Sequence, residues 1–251
     1  MAKPTFISLG LGKRAVESPI IYEDRAVLAI DKPVGWMLVP FSWQNTSRNL
    51  QAALTSSIAA GDFWARSRSL KFLRNVHRLD ADTTGVLLFA KSIGAVTTYS
   101  ELFESRKMEK TYLAVARGKP KSDAWKCTLA IAPDPSHFGH MKLDSRDGKE
   151  AETDFRVLAT RTDEKLGELA LIEARPLTGR THQIRLHLAS AGLPIAGDKI
   201  YGGRLLGDDE VLALRAIALC YQDPFQKKRI VIRAPAEPFT KAFGFVKPAK
   251  V

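Results

Sequence analysis

The chain has 251 residues, 45% of them hydrophobic, and its 38 lysines and arginines outnumber 27 acidic residues to give a net charge of +11. This length and apolar content suit a folded globular chain and exclude a mainly disordered one. No run approaches the ~20 apolar residues of a membrane helix and no signal peptide is evident, so we expect a soluble cytoplasmic protein without a membrane partner. The positive surplus suits a polyanion such as nucleic acid, but composition alone does not select that partner.

The secondary structure is predicted from apolar periodicity. Strand-length apolar runs bounded by turn residues predict strands, and three- and four-residue spacing predicts helices. In chain order, the pattern predicts strands at Ile20–Glu23 and Val27–Ile30, a helix from Thr46 to about Ala60, a buried strand at Gly85–Ala90, a helix from Ser92 to about Lys107, a strand at Tyr112–Val115, a long loop or irregular hairpin at Pro133–Gly148, strands at Phe155–Ala159 and Leu169–Ala174, a helix from Thr181 to Ala191, and strands at Leu212–Leu219 and Arg229–Ile232.

The order of these elements indicates the fold class. Strands and helices alternate without a repeating strand-helix unit, which favours an α+β fold with a mixed, mainly antiparallel central sheet flanked by helices. Residues 1–19 are weakly patterned and are expected to form an amino-terminal arm, followed by one domain over residues 20–251. The candidate helix caps are Thr46 or Ser47, Ser92 and Thr181.

The densest polar cluster is His77-Arg78-Leu79-Asp80-Ala81-Asp82-Thr83-Thr84-Gly85, directly before the predicted buried strand. Loops held at strand ends by a rigid sheet commonly display reactive side chains. Two other interpretations stay open on the residues alone. One is a solvated turn in which Asp80 or Asp82 caps backbone N–H groups. The other is a pair of carboxylates that act as acid and base on a sugar.

A second polar cluster covers the start of the helix predicted from Thr181, and it reads Thr178-Gly179-Arg180-Thr181-His182-Gln183-Ile184-Arg185-Leu186-His187. In a helix, Arg185 would lie one turn from His182, so the helix start and its arginine could bind an anion. The alternative is a basic, solvent-exposed helix surface. The five-residue spacing of His182 and His187 does not suit a helical zinc pair.

No motif predicts a cofactor or a metal. The chain lacks a phosphate-binding Gly-x-x-x-x-Gly-Lys-Ser/Thr loop, a strand-adjacent Gly-x-Gly-x-x-Gly and a Gly-x-Ser-x-Gly elbow. His137 and His140 lack strong ligand neighbours and are expected to face solvent or RNA, while Cys127 and Cys220 form no Cys-x-x-Cys pattern. We therefore expect a chain that works without a cofactor and without a metal.

Taken together, the clusters resemble the RluA branch of the pseudouridine synthases. The match runs from about Ile20 to Pro238 and rests on five motifs in the family's order. The first three are Tyr22-Glu23-Asp24 with Asp31-Lys32-Pro33-Val34-Gly35, the cluster from His77 to Gly85, and Lys110-Thr111-Tyr112-Leu113-Ala114-Val115. The last two are Gly179-Arg180-Thr181-His182-Gln183-Ile184-Arg185 and Pro194-Ile195-Ala196-Gly197-Asp198 with Tyr201-Gly202. The resemblance implies a single catalytic domain with an active-site cleft across the sheet and no separate RNA-binding domain.

The resemblance also implies roles for matching residues in an RNA uridine isomerase. Asp80 corresponds to the family's catalytic aspartate, Tyr112 to its active-site tyrosine, and Arg185 to the arginine that pairs with the aspartate. Arg78 would occupy the place that the flipped-out uridine leaves. The other residues expected to bind substrate are His77, Leu79, Thr84, Arg180, His182, Gln183 and Ile184.

The implied reaction breaks the bond between ribose and uracil nitrogen and rejoins the base through its carbon 5. A carboxylate can do this without a cofactor. It can attack the ribose anomeric carbon or the pyrimidine ring, or remove a ribose proton, and the sequence does not choose among these routes. One departure from the family pattern is Leu214-Arg215-Ala216, where relatives often carry Leu-His-Ala.

Ribosomal or transfer RNA is the expected partner, and a monomer is the expected state. Six basic residues lie near the aspartate loop or the tyrosine strand in sequence, and several are expected to line one RNA groove: Arg66, Arg68, Lys71, Arg74, Lys107 and Lys110. Two alternatives from other classes stay open. One is a catalytically idle RNA-binding or RNA-folding factor on the same scaffold, and the other is a carbohydrate hydrolase that uses Asp80 and Asp82.

Overall fold

The structure, a computed structural model, describes residues 3–10, 15–38, 48–202 and 211–245. The elements in these ranges are β1 (Phe6–Leu9), β2 (Val16–Glu23), β3 (Val27–Lys32), α1 (Leu50–Ala59), α2 (Phe63–Arg66), β4 (Arg74–Asn75), β5 (Thr84–Ala90), α3 (Ile93–Glu104), β6 (Glu109–Arg117), β7 (Ala124–Cys127), β8 (Ile131–Pro133), β9 (Met141–Leu143), β10 (Thr153–Asp163), β11 (Gly167–Pro176), α4 (Gln183–Ser190), β12 (Leu214–Gln222), β13 (Arg229–Arg233) and α5 (Glu237–Ala242).

The chain divides into two compact units. Unit 1 comprises Met1–Met108 and Ala218–Ala234, and unit 2 comprises Glu109–Ile217 and Pro235–Val251.

The sheet of unit 1 has the strand order β1-β2-β3-β5, with β4 also paired to β5. These pairings are antiparallel, as is the pairing of β13 with the end of β12. Strands β3 and β5 form the centre, where Val27–Ile30 and Leu87–Ala90 are 0% exposed. Helix α3 packs Ala95 and Tyr99 into the same core. The apolar run at Gly85–Ala90 is therefore a buried strand, as predicted.

The sheet of unit 2 has the strand order β6-β11-β10-β7, again antiparallel. Its centre is Leu113–Ala116 of β6 beside Leu169–Ile172 of β11, all buried. Helix α4 packs Ile184 and Leu188 into this core. Full burial of a large apolar side chain stabilises a fold by roughly 1.5–3 kcal/mol, so these central strands supply much of the free energy of folding.

The predicted α+β class with a mainly antiparallel sheet and flanking helices is confirmed. The irregular hairpin predicted within Pro133–Gly148 is also present, because β8 and β9 pair as a separate two-stranded sheet. Within the described ranges, none of the helices has the length and apolar character that a membrane crossing requires.

The amino-terminal arm contains regular structure that the sequence pattern did not reveal. Strand β1 pairs with β2 from Phe6 opposite Pro19 to Leu9 opposite Val16. Ile7 and Leu9 point into the core and are buried, whereas Phe6 is exposed. A four-residue strand with two inward residues is too short for its alternation to stand out.

Two helix starts differ from the prediction. Helix α1 begins at Leu50, and its cap is Asn49, whose side chain accepts a hydrogen bond from Ala52 N. The candidate caps Thr46 and Ser47 lie outside the described residues. Helix α4 begins at Gln183, with His182 rather than Thr181 at the cap position, so the prediction of Thr181 as cap is wrong.

The predicted cap of α3 is correct, since Ser92 Oγ accepts from Ala95 N at 3.2 Å. That helix ends at Glu104, three residues earlier than predicted, because Arg106 adopts a left-handed conformation with φ 58°. The short helices α2 and α5 and the strand β7 had no sequence signal strong enough to be predicted.

Candidate active site

The loop that carries Asp80 is held in place by a buried lysine. Lys32 ends β3 opposite Gly85, the second residue of β5, and is 0% exposed. Its Nζ donates hydrogen bonds to Ala81 O (2.6 Å), Thr83 O (2.8 Å) and Pro33 O (3.0 Å). Ala81 O also accepts from Gly35 N at 2.9 Å. The backbone on the carboxyl side of Asp80 is therefore fixed to the Lys32-Pro33 turn.

The charge state of Lys32 reflects this burial. Desolvation lowers the pKa of its amine from 10.5 to about 8, while the carboxylates of Asp82 and Asp80 act in the opposite direction. The lysine is therefore a cation of the interior close to both carboxylates. Sequence reasoning included Lys32 in a motif but gave it no role, because a lysine at a strand end is typical of an exposed position.

The residues around Asp80 divide into interior and exterior ones. His77 Nε2 accepts a hydrogen bond from Leu88 N at 3.0 Å, and its ring stacks on Phe103 at 4.6 Å between centroids. Leu79 is buried, and His77 is half-buried. Arg78 is exposed, whereas Asp80 and Thr84 are half-buried. The loop thus anchors His77 and Leu79 in unit 1 and presents Arg78 and Asp80 at its surface.

Tyr112 lies on the face of the unit 2 sheet that packs against α4. Cross-strand pairing places Tyr112, Ala174, Phe155 and Trp125 in one row on the same face. Tyr112 is half-buried and packs against the core cluster that contains Ile184. The structure therefore brings Tyr112 and the helix of Arg185 together within unit 2, which periodicity alone could not establish.

The loop before α4 is fixed by Gln183. Its Oε1 accepts from Thr178 Oγ1 (2.7 Å) and Arg180 N (2.9 Å), and its Nε2 donates to Glu152 O and Thr153 Oγ1, both at 2.9 Å. These four bonds use the full donor and acceptor capacity of the amide. Arg180 is held separately, since its Nε donates to Glu150 O at 2.9 Å. Gln183 thus orients the Gly179-Arg180 turn from within unit 2.

Arg185 is buried and forms a two-pronged ion pair with Asp198. Its Nε donates to Asp198 Oδ2 and its Nη2 to Asp198 Oδ1, both at 2.8 Å, and the two side chains are 7% and 0% exposed. Burial alone would raise the pKa of Asp198, but the hydrogen bonds and charge of Arg185, with backbone N–H donors from Ile200 and Tyr201, lower it. The carboxylate is therefore ionised and fixes the guanidinium plane.

Tyr201 completes the surroundings of Arg185. The guanidinium carbon lies 5.1 Å from the centre of the Tyr201 ring, a cation–π distance. The Tyr201 hydroxyl accepts from Met141 N at 2.9 Å and lies 2.8 Å from His182 Nδ1. His182 itself has φ 57°, a left-handed conformation that is strained for a residue with a side chain. Asp198 and Tyr201 stand in a motif of the family resemblance, but the sequence assigns them no role, because only the fold reveals their contacts with Arg185.

Of the six basic residues from which several are expected to line an RNA groove, Arg68 lies in the interior. Arg68 is 4% exposed: its Nε pairs with Glu23 at 2.8 Å, and its other nitrogens donate to Trp64 O and Pro4 O. It is a structural residue of unit 1, because its guanidinium bonds the Glu23 carboxylate and two backbone carbonyls from separate segments. Four of the others are exposed in unit 1, namely Arg66, Lys71, Arg74 and Lys107. In unit 2, the Lys110 ammonium donates to Thr178 O at 2.7 Å.

Two further sequence observations have structural counterparts. Arg215, which stands where relatives often carry histidine, donates from Nε to Pro235 O at 2.9 Å. His137 at the β8–β9 hairpin is exposed and stacks on His140 at 5.4 Å. In the part of the chain that the structure describes, no group of three or more His, Cys, Asp or Glu residues could hold a metal ion.

The comparisons with known proteins show which class of protein has this α+β scaffold and these motifs. The family model for RNA pseudouridylate synthase matches residues 26–190. An uncharacterised RNA pseudouridine synthase of Bacillus subtilis is 34% identical over 221 residues, 87% of this chain and 68% of that protein. Ribosomal large subunit pseudouridine synthase C of Yersinia pestis is 33% identical over 231 residues, 89% and 67% of the two chains.

Solved structures give the same result. Human RNA pseudouridylate synthase domain containing 1 aligns with a TM-score of 0.68 and 26% identity over 87% of this chain and 83% of that one. Human RNA pseudouridylate synthase domain containing 4 aligns with a TM-score of 0.67 and 25% identity, covering 86% and 87%. The chain therefore belongs to the RNA pseudouridylate synthase family, whose members are isomerases that convert uridine to pseudouridine in RNA. The resemblance to the RluA branch is confirmed.

Proposed function

We propose that the chain isomerises specific uridines in ribosomal RNA, transfer RNA or both, with Asp80 as the catalytic carboxylate. The bond between ribose C1′ and uracil N1 breaks, the base rotates, and C1′ bonds to C5. The C5 proton leaves to solvent and N1 gains a proton, so the reaction needs no co-reactant. Asp80 begins it as a nucleophile or as a base toward the ribose.

The observation that carries this proposal is the Lys32 clamp on the Asp80 loop. A reacting carboxylate must be held within a fraction of an ångström, because a displacement of ~1 Å can cost ~100-fold in rate. Three hydrogen bonds from one buried ammonium to the loop backbone supply such positioning. A turn that served only as a solvated connection would not need an interior lysine, whose burial is costly.

The other site residues keep the roles that the family resemblance assigns, as proposals. Tyr112 offers an aromatic face to the flipped uracil, worth ~1–3 kcal/mol, and a phenol that can carry the C5 proton. Arg185 is the arginine that the family resemblance pairs with the catalytic aspartate. Arg78, which is exposed, takes the place of the flipped uridine.

The remaining candidates divide by what surrounds them. Leu79 and Ile184 are buried apolar residues that line the base site in this proposal. Thr84, Arg180 and His182 contact RNA. The internal hydrogen bonds of His77 and Gln183 favour an indirect contribution for these two, through the loops they fix.

The names of the curated relatives support a ribosomal target, since the protein of Yersinia pestis is named for the large ribosomal subunit. A cytoplasmic monomer is the corresponding proposal for location and state. Arg66, Lys71, Arg74 and Lys107 are the exposed cations we assign to phosphate contacts. Four such contacts would make log K fall with log salt at a slope of about −3.

The test measures release of tritium from RNA labelled at uridine C5, with carbodiimide mapping of the product. Ribosomal and transfer RNA from a strain that lacks the gene are separate substrates. Wild type is expected to release tritium from at least one, and Asp80→Asn from neither.

The matched control is Asp163→Asn. Asp163 is another aspartate at a turn, paired with Arg161, and it should leave the rate unchanged. RNA binding without product by wild type would favour an idle RNA-binding factor. Release of reducing sugar would favour the hydrolase. Full activity of Asp80→Asn would refute the catalytic assignment.

A further inference from the structure

The ion pair of Arg185 with Asp198 has more hydrogen bonds than the pairing of two buried charges requires. A single charge-assisted bond would pair the two groups, yet both carboxylate oxygens bond the guanidinium at 2.8 Å. Asp198 Oδ1 also accepts from Ile200 N (2.9 Å) and Tyr201 N (3.1 Å). The carboxylate therefore cannot rotate without breaking backbone bonds, and its fork geometry fixes the plane of the guanidinium.

The second side of Arg185 is limited by the Tyr201 ring, 5.1 Å from the guanidinium carbon. The ring is itself fixed at its far end, where the hydroxyl bonds Met141 N of β9 and lies 2.8 Å from His182 Nδ1. His182 occupies the strained turn that begins α4, the helix of Arg185. The same short segment, Asp198 to Tyr201, thus supports the arginine along its edge and over its face.

We propose that Asp198 and Tyr201 are positioning residues that hold Arg185 in one orientation for the reaction, with Asp198 fixing the guanidinium plane and Tyr201 fixing its tilt. This inference rests on the proposed role of Arg185. A guanidinium has five N–H donors in a rigid fork, so a carboxylate on one edge orients the donors on the other. A lysine at position 185 would lack that property, because its ammonium rotates freely on a flexible stem.

The first test compares Asp198→Asn with Asp163→Asn. Both aspartates accept backbone N–H bonds from the residues two and three positions ahead and pair with an arginine, Arg185 in one case and Arg161 in the other. Asp198→Asn is expected to lower kcat for tritium release about 10- to 100-fold with KM for RNA within twofold of wild type. Asp163→Asn should match wild type in both.

A second variant covers the case in which Asp198→Asn does not fold. Asp198→Glu keeps the charge but moves it by one methylene, and thermal melts identify folded preparations. We expect a folded Asp198→Glu protein with kcat lowered at least about tenfold. Tyr201→Phe keeps the ring and loses the hydroxyl, so it should lower kcat less than Asp198→Asn does.

A double-mutant cycle asks whether Asp198 acts through Arg185. In an Arg185→Lys background the fork is already lost, so Asp198→Asn should change the remaining kcat less than twofold. Additive losses would overturn the proposal, because Asp198 would then act independently of the arginine.

Hydrogen exchange of the Arg185 side chain tests the proposal without a measurement of activity. In protein labelled with 15N-arginine, the Arg185 Nε–H signal, assigned with Arg185→Lys, should exchange slowly with solvent in wild type and at least tenfold faster in Asp198→Asn. Unchanged exchange with unchanged kcat would overturn the positioning role. Absence of tritium release from wild type, or full activity of Asp80→Asn, would instead overturn the proposed function, while the exchange experiment would still decide whether Asp198 holds Arg185.

Discussion

The replacement of Lys32 by methionine tests the clamp on the Asp80 loop. Methionine keeps an unbranched apolar stem but removes the three hydrogen bonds to Ala81 O, Thr83 O and Pro33 O. A hydrogen bond typically contributes ~1 kcal/mol net, so the variant should lose about 3 kcal/mol of unfolding free energy. For a chain of this size that corresponds to a melting temperature lower by about 6–12 °C.

The activity of this variant should fall more than its RNA binding, because the loop that carries Asp80 loses its support while the exposed cations remain. Urea and thermal unfolding, tritium release and RNA binding are measured on the same preparation. Lys126→Met is the control, since Lys126 is exposed and, among the described residues, pairs with the Glu152 and Asp154 carboxylates of unit 2. If Lys32→Met matched this control in melting temperature and in kcat, the clamp would have no role and the reasoning would be refuted.

Three further outcomes follow from the buried polar groups. The folded pKa of Lys32, about 8, lies below its ordinary 10.5, so the unfolded chain binds more protons between these values and stability should rise with pH across them. Wild type should therefore gain up to about 3 kcal/mol relative to Lys32→Met from pH 8 to 10.5 in urea titrations, and a constant difference would contradict this. Tyr99→Phe removes the donor to Asp223 Oδ2 at 2.9 Å and should cost about 1–3 kcal/mol in the same assay, whereas an unchanged midpoint would mean that water replaces the hydroxyl. The lowered pKa of Asp198 means that its stabilisation is present above the ordinary value of 3.8 and is lost as the pH falls below it. In acid titrations, Asp198→Asn should lack this part of the loss of unfolding free energy. If the unfolding free energies of the two proteins fell identically with acid pH, the pair with Arg185 would not be its cause.

The sequence predicted the elements whose side chains repeat with a clear period. Gly85–Ala90 was identified as a buried strand because a strand covered on both faces has no polar alternation. Ser92 was identified as a cap because its helix begins directly after it. The start of α4 could not be predicted in the same way, since Thr181 has the better cap chemistry and only tertiary contacts hold His182 in a left-handed conformation.

The candidate site residues show a similar contrast. Asp80, Tyr112 and Arg185 could be proposed from the sequence because they stand in contiguous motifs that resemble those of the family. Lys32 and Asp198 act through partners 49 and 13 positions away, and no local pattern encodes such pairings. Arg68 stood among the candidates for RNA contact for the same reason, since its partner Glu23 lies 45 positions earlier in the chain.

The central claim is that Asp80 carries uridine isomerisation, and tritium release from C5-labelled ribosomal RNA tests it most directly. Wild type and Asp163→Asn should release tritium at equal rates and yield pseudouridine at the same mapped positions. Asp80→Asn, folded as judged by its melting curve and still able to bind RNA, should release none above background. Tritium release by Asp80→Asn at the rate of wild type would contradict the claim.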